Sequence, residues 1–476
     1  MVHMEEGVRI IYVGMDQALV RIDLMRERLL VAGLRHPTII FRVIHWLLDG
    51  GKARVKVEIA NRATLDVADL PYNRDLLSFL KDEQAAGMEL VLVTAVPYEW
   101  AQSISRHLGL FDHVLATDET SGNLAGERKL DAILHDAGDR AFGYAGNPLT
   151  DEPILKASQL PIMVGKQIAL EGKQAERAVH LPQKESKALS WWKSLRPCQW
   201  IKNLLVFAPA IATHRLSESW SAGLLAFVAF SLAASAFYLW NDFCDIDEDR
   251  IDPDKRSRAL ASGSMRPSRA LVVTALLLLG AGCAAVWLPF DFSLILIGYG
   301  IVNALYSSGL QYVRILDLVI LTALLLLRVF AGALACHTHV SGWLLVFIFF
   351  LALSLAHLKR YTELRRRIKH GIQSIGRFTY PPEKASLLMK MGICAGLASV
   401  LVLAVEVTAS QASTLYRTPA LLFFVSALLF YWIERIWALA RREKIECDPF
   451  DFIATDPISY LVVLASLAVI GMASIY

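Results

Sequence analysis

From about residue 190 onward the chain is a succession of apolar segments, each long enough to cross a bilayer. Hydrocarbon offers no water to backbone N–H and C=O groups, so such segments can only span as packed α-helices. Nine are expected: 199–213, 219–240, 268–287, 290–308, 315–336, 341–358, 385–407, 415–433 and 456–475. Before about Lys187 the residues read as those of a soluble protein. The mean hydropathy of +0.43 is therefore an average over two unlike halves.

Basic residues orient the bundle. Loops on the side of the front half hold Arg250, Lys255, Arg256, Arg258, Arg266 and Arg269, then Arg314. They also hold Lys359, Arg360, Arg365, Arg366, Arg367, Lys369, Arg377 and Lys384, and finally Arg435, Arg441, Arg442 and Lys444. The opposite side has Arg215 and Arg417. Nineteen against two predicts a multi-pass protein of the cell (inner) membrane whose front half and connecting loops face the cytoplasm. The opening Met1–Asp16 has the wrong flanks for a cleavable signal peptide, which agrees with a cytosolic front half. Trp191-Trp192-Lys193-Ser194-Leu195-Arg196 reads as an interfacial anchor. A net charge of +3 is too small to imply a nucleic-acid partner. Six scattered cysteines form no CxxC pair and indicate neither a zinc site nor a disulfide framework.

Topology does not account for the acidic run Asn241-Asp242-Phe243-Cys244-Asp245-Ile246-Asp247-Glu248-Asp249 at the end of the second apolar segment. On one helix Asp242, Asp245 and Asp249 stand at i, i+3 and i+7 and share a face. Carboxylates so close repel unless a hard divalent cation neutralises them, with Mg²⁺ and a phosphate ligand the expected pair. Asp254-Lys255-Arg256-Ser257-Arg258 follows. Further polar groups interrupt the spans: Lys202-Asn203, Tyr306, Asp317, Arg328 and Lys359-Arg360-Tyr361-Thr362-Glu363. Within hydrocarbon they are costly unless paired or functional. Ending on the side of the acids, they describe a pocket for polyanions; for Arg328 a structural ion pair with a buried acid is the competing account.

These features resemble the UbiA prenyltransferase superfamily over roughly 190–476, and within it the decaprenyl-phosphate phosphoribosyltransferase branch. Asn241-Asp242-x-x-Asp245-x-x-x-Asp249 matches the acidic motif that in this family binds Mg²⁺ and a diphosphate. Asp254-Lys255-Arg256-Ser257-Arg258 resembles the branch's basic continuation, and Arg196-Pro197-x-Gln199-Trp200-x-Lys202-Asn203 its entry motif. Gln311 and Ala259 depart from the branch, which has Lys and Pro there. A second carboxylate pair, used by aromatic prenyltransferases to hold more metal, is missing: Asp317 is followed at i+4 by Leu321. The resemblance implies an integral membrane transferase that moves 5-phosphoribosyl from phosphoribosyl pyrophosphate to a polyprenyl phosphate. Asp242, Asp245 and Asp249 would hold Mg²⁺ beside Asn241. Lys202, Asn203, Lys255, Arg256, Arg258, Arg328, Lys359, Arg360 and Glu363 would contact substrates, with Tyr306 and Asp317 at the pocket. Aromatic prenyl transfer from an allylic diphosphate and a non-catalytic membrane scaffold are the alternatives. A homo-oligomer is compatible with the sequence.

In the front half, short apolar strands at Arg9–Gly14, Glu89–Ala95, His113–Thr117, Ala141–Ala145 and Pro161–Val164 alternate with helices, a parallel α/β layout. Residues 18–70 read as a helical insert. The pattern resembles a haloacid-dehalogenase-type phosphatase over most of 7–165, whose first motif is Asp-x-Asp-Gly-Thr. Here it reads Gly14-Met15-Asp16-Gln17-Ala18. Without a carboxylate at Gly14 no phosphoaspartyl intermediate can form. Thr94 and Lys129 stand where the second and third motifs put a hydroxyl and a base; Asn147 replaces a metal-ligating acid and Asp151 persists. The expectation is a multi-domain chain: an inactive α/β domain at 1–165, a tether at 166–190 and an all-α membrane domain at 191–476.

Overall fold

The computed structural model describes residues 7–35, 38–62, 65–118, 122–171, 173–182, 187–369, 371, 380–408, 416–446 and 448–475. The chain divides into two compact units, Met1–Trp191 with Asp242–Ala270, and Trp192–Asn241 with Leu271–Tyr476.

The first unit is built on a six-stranded sheet, β1 (Ile10–Gly14), β2 (Glu89–Pro97), β3 (His113–Thr117), β4 (Phe142–Gly146), β5 (Leu160–Val164) and β6 (Val179–Leu181). The order is β3-β2-β1-β4-β5-β6 and every pairing is parallel. Strands β1, β4 and β5 are buried along their whole length, as strands covered on both faces must be. Helices Arg74–Ala85, Tyr98–Leu108, Glu127–Ala137 and Pro148–Ala157 alternate with the strands. Asn73 and Asn147 cap two of them by accepting from Leu76 and Leu149 N–H groups. The expected insert is the helical pair Leu24–Arg35 and Ile39–Ala60, kinked at Gly51. The stretch read as a tether instead carries β6 and the short helix Lys173–Arg177. A three-residue strand with His180 exposed at its centre leaves almost no periodicity to read.

The same unit takes in the acidic run. The apolar helix Leu216–Cys244 stops at Cys244 and a separate short helix, Ile246–Ile251, follows. Asp245, with φ −97° and ψ 14°, is the non-helical residue at the junction. The single continuous helix expected through Asp249 is therefore broken.

In the second unit, among the described residues, eight helices are long and apolar enough to cross a membrane: Leu216–Cys244, Pro267–Ala285, Phe290–Ser308, Arg314–Ala335, Gly342–Lys369, Pro382–Thr408, Pro419–Arg441 and Pro457–Ser474. The expected first span, 199–213, is not one of them. It forms a 3-10 helix, Pro197–Phe207, and one turn of α-helix, Ala208–Ala212. At about 1.5 Å per residue a helix over that segment falls short of a roughly 30 Å hydrocarbon core, and Pro197 and Pro209 break its regularity. It packs instead against Arg314–Ala335, so closely that a Cβ on Gly332 would collide with the Val206 carbonyl. That approach positions Asn203 against Arg328.

Candidate active site

Two carboxylates of the acidic segment converge on one arginine. Arg258 Nη1 donates to Asp242 Oδ1 at 3.0 Å and to Asp249 Oδ2 at 2.8 Å. Both carboxylates are buried. Burial raises the Asp249 carboxyl to about 6, with Arg258 pulling it down and Asp242 pushing it up. The same carboxylates hold the Arg258 guanidinium protonated more firmly than usual, against the effect of burial. Asp245 is half-buried at the helix junction, Lys255 Nζ is 3.8 Å from Asp252 Oδ2, and Arg256 is exposed. Among the described residues no three or more His, Cys, Asp or Glu are disposed as a ready metal cage. The donor chemistry nevertheless suits a hard cation: two buried carboxylates already converge on one positive group.

In the helical unit the predicted polar residues fall into two connected clusters. In the first, Asp317 is fully buried and paired through both carboxylate oxygens with Arg360. Tyr306 donates to Asp317 Oδ1 at 2.8 Å and accepts from Arg360 Nη2 at 2.8 Å; Arg360 Nη1 also reaches Glu363 at 2.6 Å. Tyr306, Asp317, Arg360 and Glu363 thus form one network across three helices. Asn241, outside it, accepts from Ser307 Oγ at 3.0 Å.

The second cluster surrounds Lys202. Its ammonium lies 4.0 Å from the centroid of the Phe450 ring, and burial lowers it to about 8, Asp448 opposing and Arg328 adding to the fall. Asp448 is 3.5 Å from Lys359 Nζ. Burial pushes the Asp448 carboxyl up, but Lys359 and Lys202 outweigh it and hold the group well below the carboxylate range. Asp448 also caps the helix Pro449–Ile453 by accepting from Phe450 N–H at 2.9 Å. Burial, then Asp448, raises the neighbouring Asp451, which accepts from Gln199 Nε2 at 2.5 Å.

Arg328 is 3% exposed and pairs with no acid among the described residues. Its Nε donates to Asn203 Oδ1 at 2.8 Å, its Nη2 to the Tyr299 hydroxyl at 3.0 Å and its Nη1 to the Leu324 carbonyl. Asn203 is fixed in turn through Ser231 at 3.0 Å. A buried guanidinium with neutral partners keeps its full charge available to an anion, which removes the ion-pair account. Asp448 and Asp451 were missed in the sequence. An Asp directly before Pro, with a second acid three residues on, is a helix-start signal that could have marked them.

The phosphatase-like site is filled by the protein itself. A Cβ on Gly14 would stand 2.8 Å from the Tyr144 hydroxyl and 3.3 Å from Asp151 Oδ2. Lys129 Nζ donates to that hydroxyl at 2.6 Å and to Asp151 Oδ1 at 3.2 Å. Tyr144 is fully buried, and burial together with Asp151 raises its hydroxyl well above the ordinary range, so it stays neutral. Asp16 accepts from Leu24 N–H at 3.1 Å, and burial and Asp23 raise its carboxyl to about 6. Thr94 is buried and accepts from Val96 N–H.

Residues 204–455 match the model of the UbiA prenyltransferase family, and residues 12–154 that of the haloacid dehalogenase-like hydrolases. An uncharacterized protein of Sinorhizobium fredii, y4nM, is 30% identical over 469 residues, covering 96% of this chain and 90% of its own. The nodulation protein NoeC of Azorhizobium caulinodans is 29% identical over 58% of this chain and 90% of its own. A decaprenyl-phosphate phosphoribosyltransferase of Mycobacterium tuberculosis is 29% identical over 59% of this chain and 93% of its own. Among solved structures, a UbiA homolog from Archaeoglobus fulgidus bound to GPP and Mg²⁺ aligns with 60% of this chain and 100% of its own, at a TM-score of 0.46 and 18% identity.

Proposed function

This chain belongs to the UbiA prenyltransferase family, whose members are membrane transferases, and we propose that it moves 5-phosphoribosyl from phosphoribosyl pyrophosphate to a polyprenyl phosphate, releasing pyrophosphate. The observation that carries this reading is the Lys202 cluster. Lys202 and Lys359 flank one strongly acidic carboxylate, Asp448, and a third cation, Arg328, lies near Lys202. Such a cluster suits ligands that bring several negative charges, and both substrates do. The similarity to a decaprenyl-phosphate phosphoribosyltransferase supports the choice of donor and acceptor, as does Leu321 in place of a second acid.

The lipid phosphate is an anionic nucleophile at neutral pH and needs no strong general base. Its oxygen bonds to the anomeric carbon as the bond from that carbon to pyrophosphate breaks. Lys202, Arg328 and Lys359 stabilise phosphate charge through fixed, desolvated cations. Arg360, held by Asp317, Tyr306 and Glu363, orients the donor. Asp242, Asp245 and Asp249 would hold Mg²⁺, which when bound neutralises the departing pyrophosphate. Asn241 supports that end, and Lys255, Arg256 and Arg258 answer phosphate charge from the cytoplasmic side of an inner-membrane protein. The front domain is an inactive phosphatase relative.

The test is pyrophosphate release from phosphoribosyl pyrophosphate by the purified full chain in nanodiscs, with and without polyprenyl phosphate. Release only with both substrates and Mg²⁺ is expected. Turnover of a labelled allylic diphosphate with an aromatic acceptor, and none with phosphoribosyl pyrophosphate, would replace this reading with prenyl transfer. No turnover of either would leave a scaffold.

A further inference from the structure

Four contacts within the first unit tie the acidic segment to the phosphatase-like domain. Arg250, adjacent to Asp249, donates from Nη1 and Nη2 to the two oxygens of Glu27, each at 2.8 Å. Glu27 is 1% exposed and Arg250 6%. The third guanidinium nitrogen of Arg250, Nε, donates to the Ala261 carbonyl at 3.2 Å, so this one guanidinium closes the loop that carries Arg258. Arg28, on the same helix as Glu27, pairs with Asp247 at 2.7 Å. Gly263, at φ +76°, lies against Ile22 and Arg21, where a Cβ would come within 2.9 Å of Ile22 Cγ2. Finally, Gln17 Oε1 accepts from Asn147 Nδ2 at 3.0 Å and from Arg266 Nη2 at 2.6 Å.

Gln17 and Asn147 are two of the positions at which this domain departs from the phosphatase pattern. Gln17 stands at φ +59°, a left-handed conformation where that pattern has glycine. Both side chains now serve Arg266 of the acidic segment. We infer that the domain has exchanged catalysis for a positioning role, holding residues 246–266 so that Asp249 and Arg258 keep their places, with Glu27 as the central positioning residue. A charged pair this buried and doubly hydrogen-bonded costs heavily when one partner is removed, because the other is left without compensation. Removing Glu27 therefore acts on Arg250 and, through it, on Asp249 and the Ala261 turn. The inference rests on the transferase reading for its consequence, not for its geometry.

The test uses the full chain in nanodiscs with Glu27→Gln, Gly263→Val, and the pair Glu27→Gln with Arg250→Met. Amide exchange across 246–262 should quicken at least tenfold in each single variant, with β1 and β2 unchanged. Mn²⁺ binding, followed by its paramagnetic resonance, should weaken about tenfold, and kcat should fall more than the KM for phosphoribosyl pyrophosphate rises. The double variant, which replaces the pair by two neutral residues, should recover most of the exchange protection. Two results would overturn the inference: exchange of 246–262 unchanged in both single variants, or protection lost in β1 and β2 and not recovered by Arg250→Met. If the wild-type chain releases no pyrophosphate, the substrate reading fails while the exchange measurements still decide the positioning role.

Discussion

Restoring the missing nucleophile should not restore a phosphatase. In Gly14→Asp the new Cβ would sit 2.8 Å from the Tyr144 hydroxyl, inside contact distance in a fully buried place. Overpacking of this kind costs about 1–3 kcal/mol. Moving Tyr144 aside breaks its hydrogen bond from Lys129, worth about 1.5–3 kcal/mol for a charged donor. The added carboxylate also faces Asp151, whose cationic partner, Lys129, then serves two acids. The sum is about 2.5–6 kcal/mol, a large part of the roughly 5–15 kcal/mol that holds a domain together. Gly14→Ala isolates the steric share, about 1–3 kcal/mol. Amide exchange of Ile11–Val13 in β1 reads both losses without assuming two-state unfolding of the whole chain. A Gly14→Asp protein that keeps wild-type protection and hydrolyses p-nitrophenyl phosphate would refute the reasoning.

Three further outcomes are expected. Asp245→Asn should abolish transfer while circular dichroism and detergent-phase size stay unchanged; full activity would remove that residue from the metal assignment. Lys202 carries its charge below about 8 and loses it above, whereas the unfolded chain keeps the proton to 10.5. Stability should therefore rise with pH between those values while the KM for phosphoribosyl pyrophosphate climbs through pH 8, and Lys202→Arg should flatten that limb of the KM profile. Gly332→Ala, forced against the Val206 carbonyl, should destabilise the helical unit by more than about 2 kcal/mol and loosen the Asn203–Arg328 contact, seen as faster exchange at 203–207.

The sequence made legible what depends on local pattern. Hydrophobic runs marked eight helices, β-rich runs separated by helical ones marked five strands, and isolated polar residues in apolar context marked Lys202, Arg328, Asp317 and Arg360. What stayed hidden depends on partners remote in the chain. Tyr144 is an unremarkable β4 residue until the fold brings it to Gly14. Asp448 lies 89 positions from Lys359 and Arg250 lies 223 from Glu27. The 199–213 segment differs from the expected span because hydropathy records composition, whereas Pro209, the flanking Pro197 and its short reach decide its form. The break at Asp245 escaped because the i, i+3, i+7 spacing of the acids assumes a regular helix that the residue between them ends.

Arg258 has a consequence for ion selectivity. Any cation arriving at Asp242 and Asp249 competes with a rival that is covalently tethered and so present at an effective concentration on the order of millimolar. A monovalent ion of equal charge gains nothing by the exchange. An ion of higher charge, or one delivered with an anion that draws the guanidinium away, displaces it more readily than a monovalent ion does, so the tethered arginine biases the site toward divalent cations.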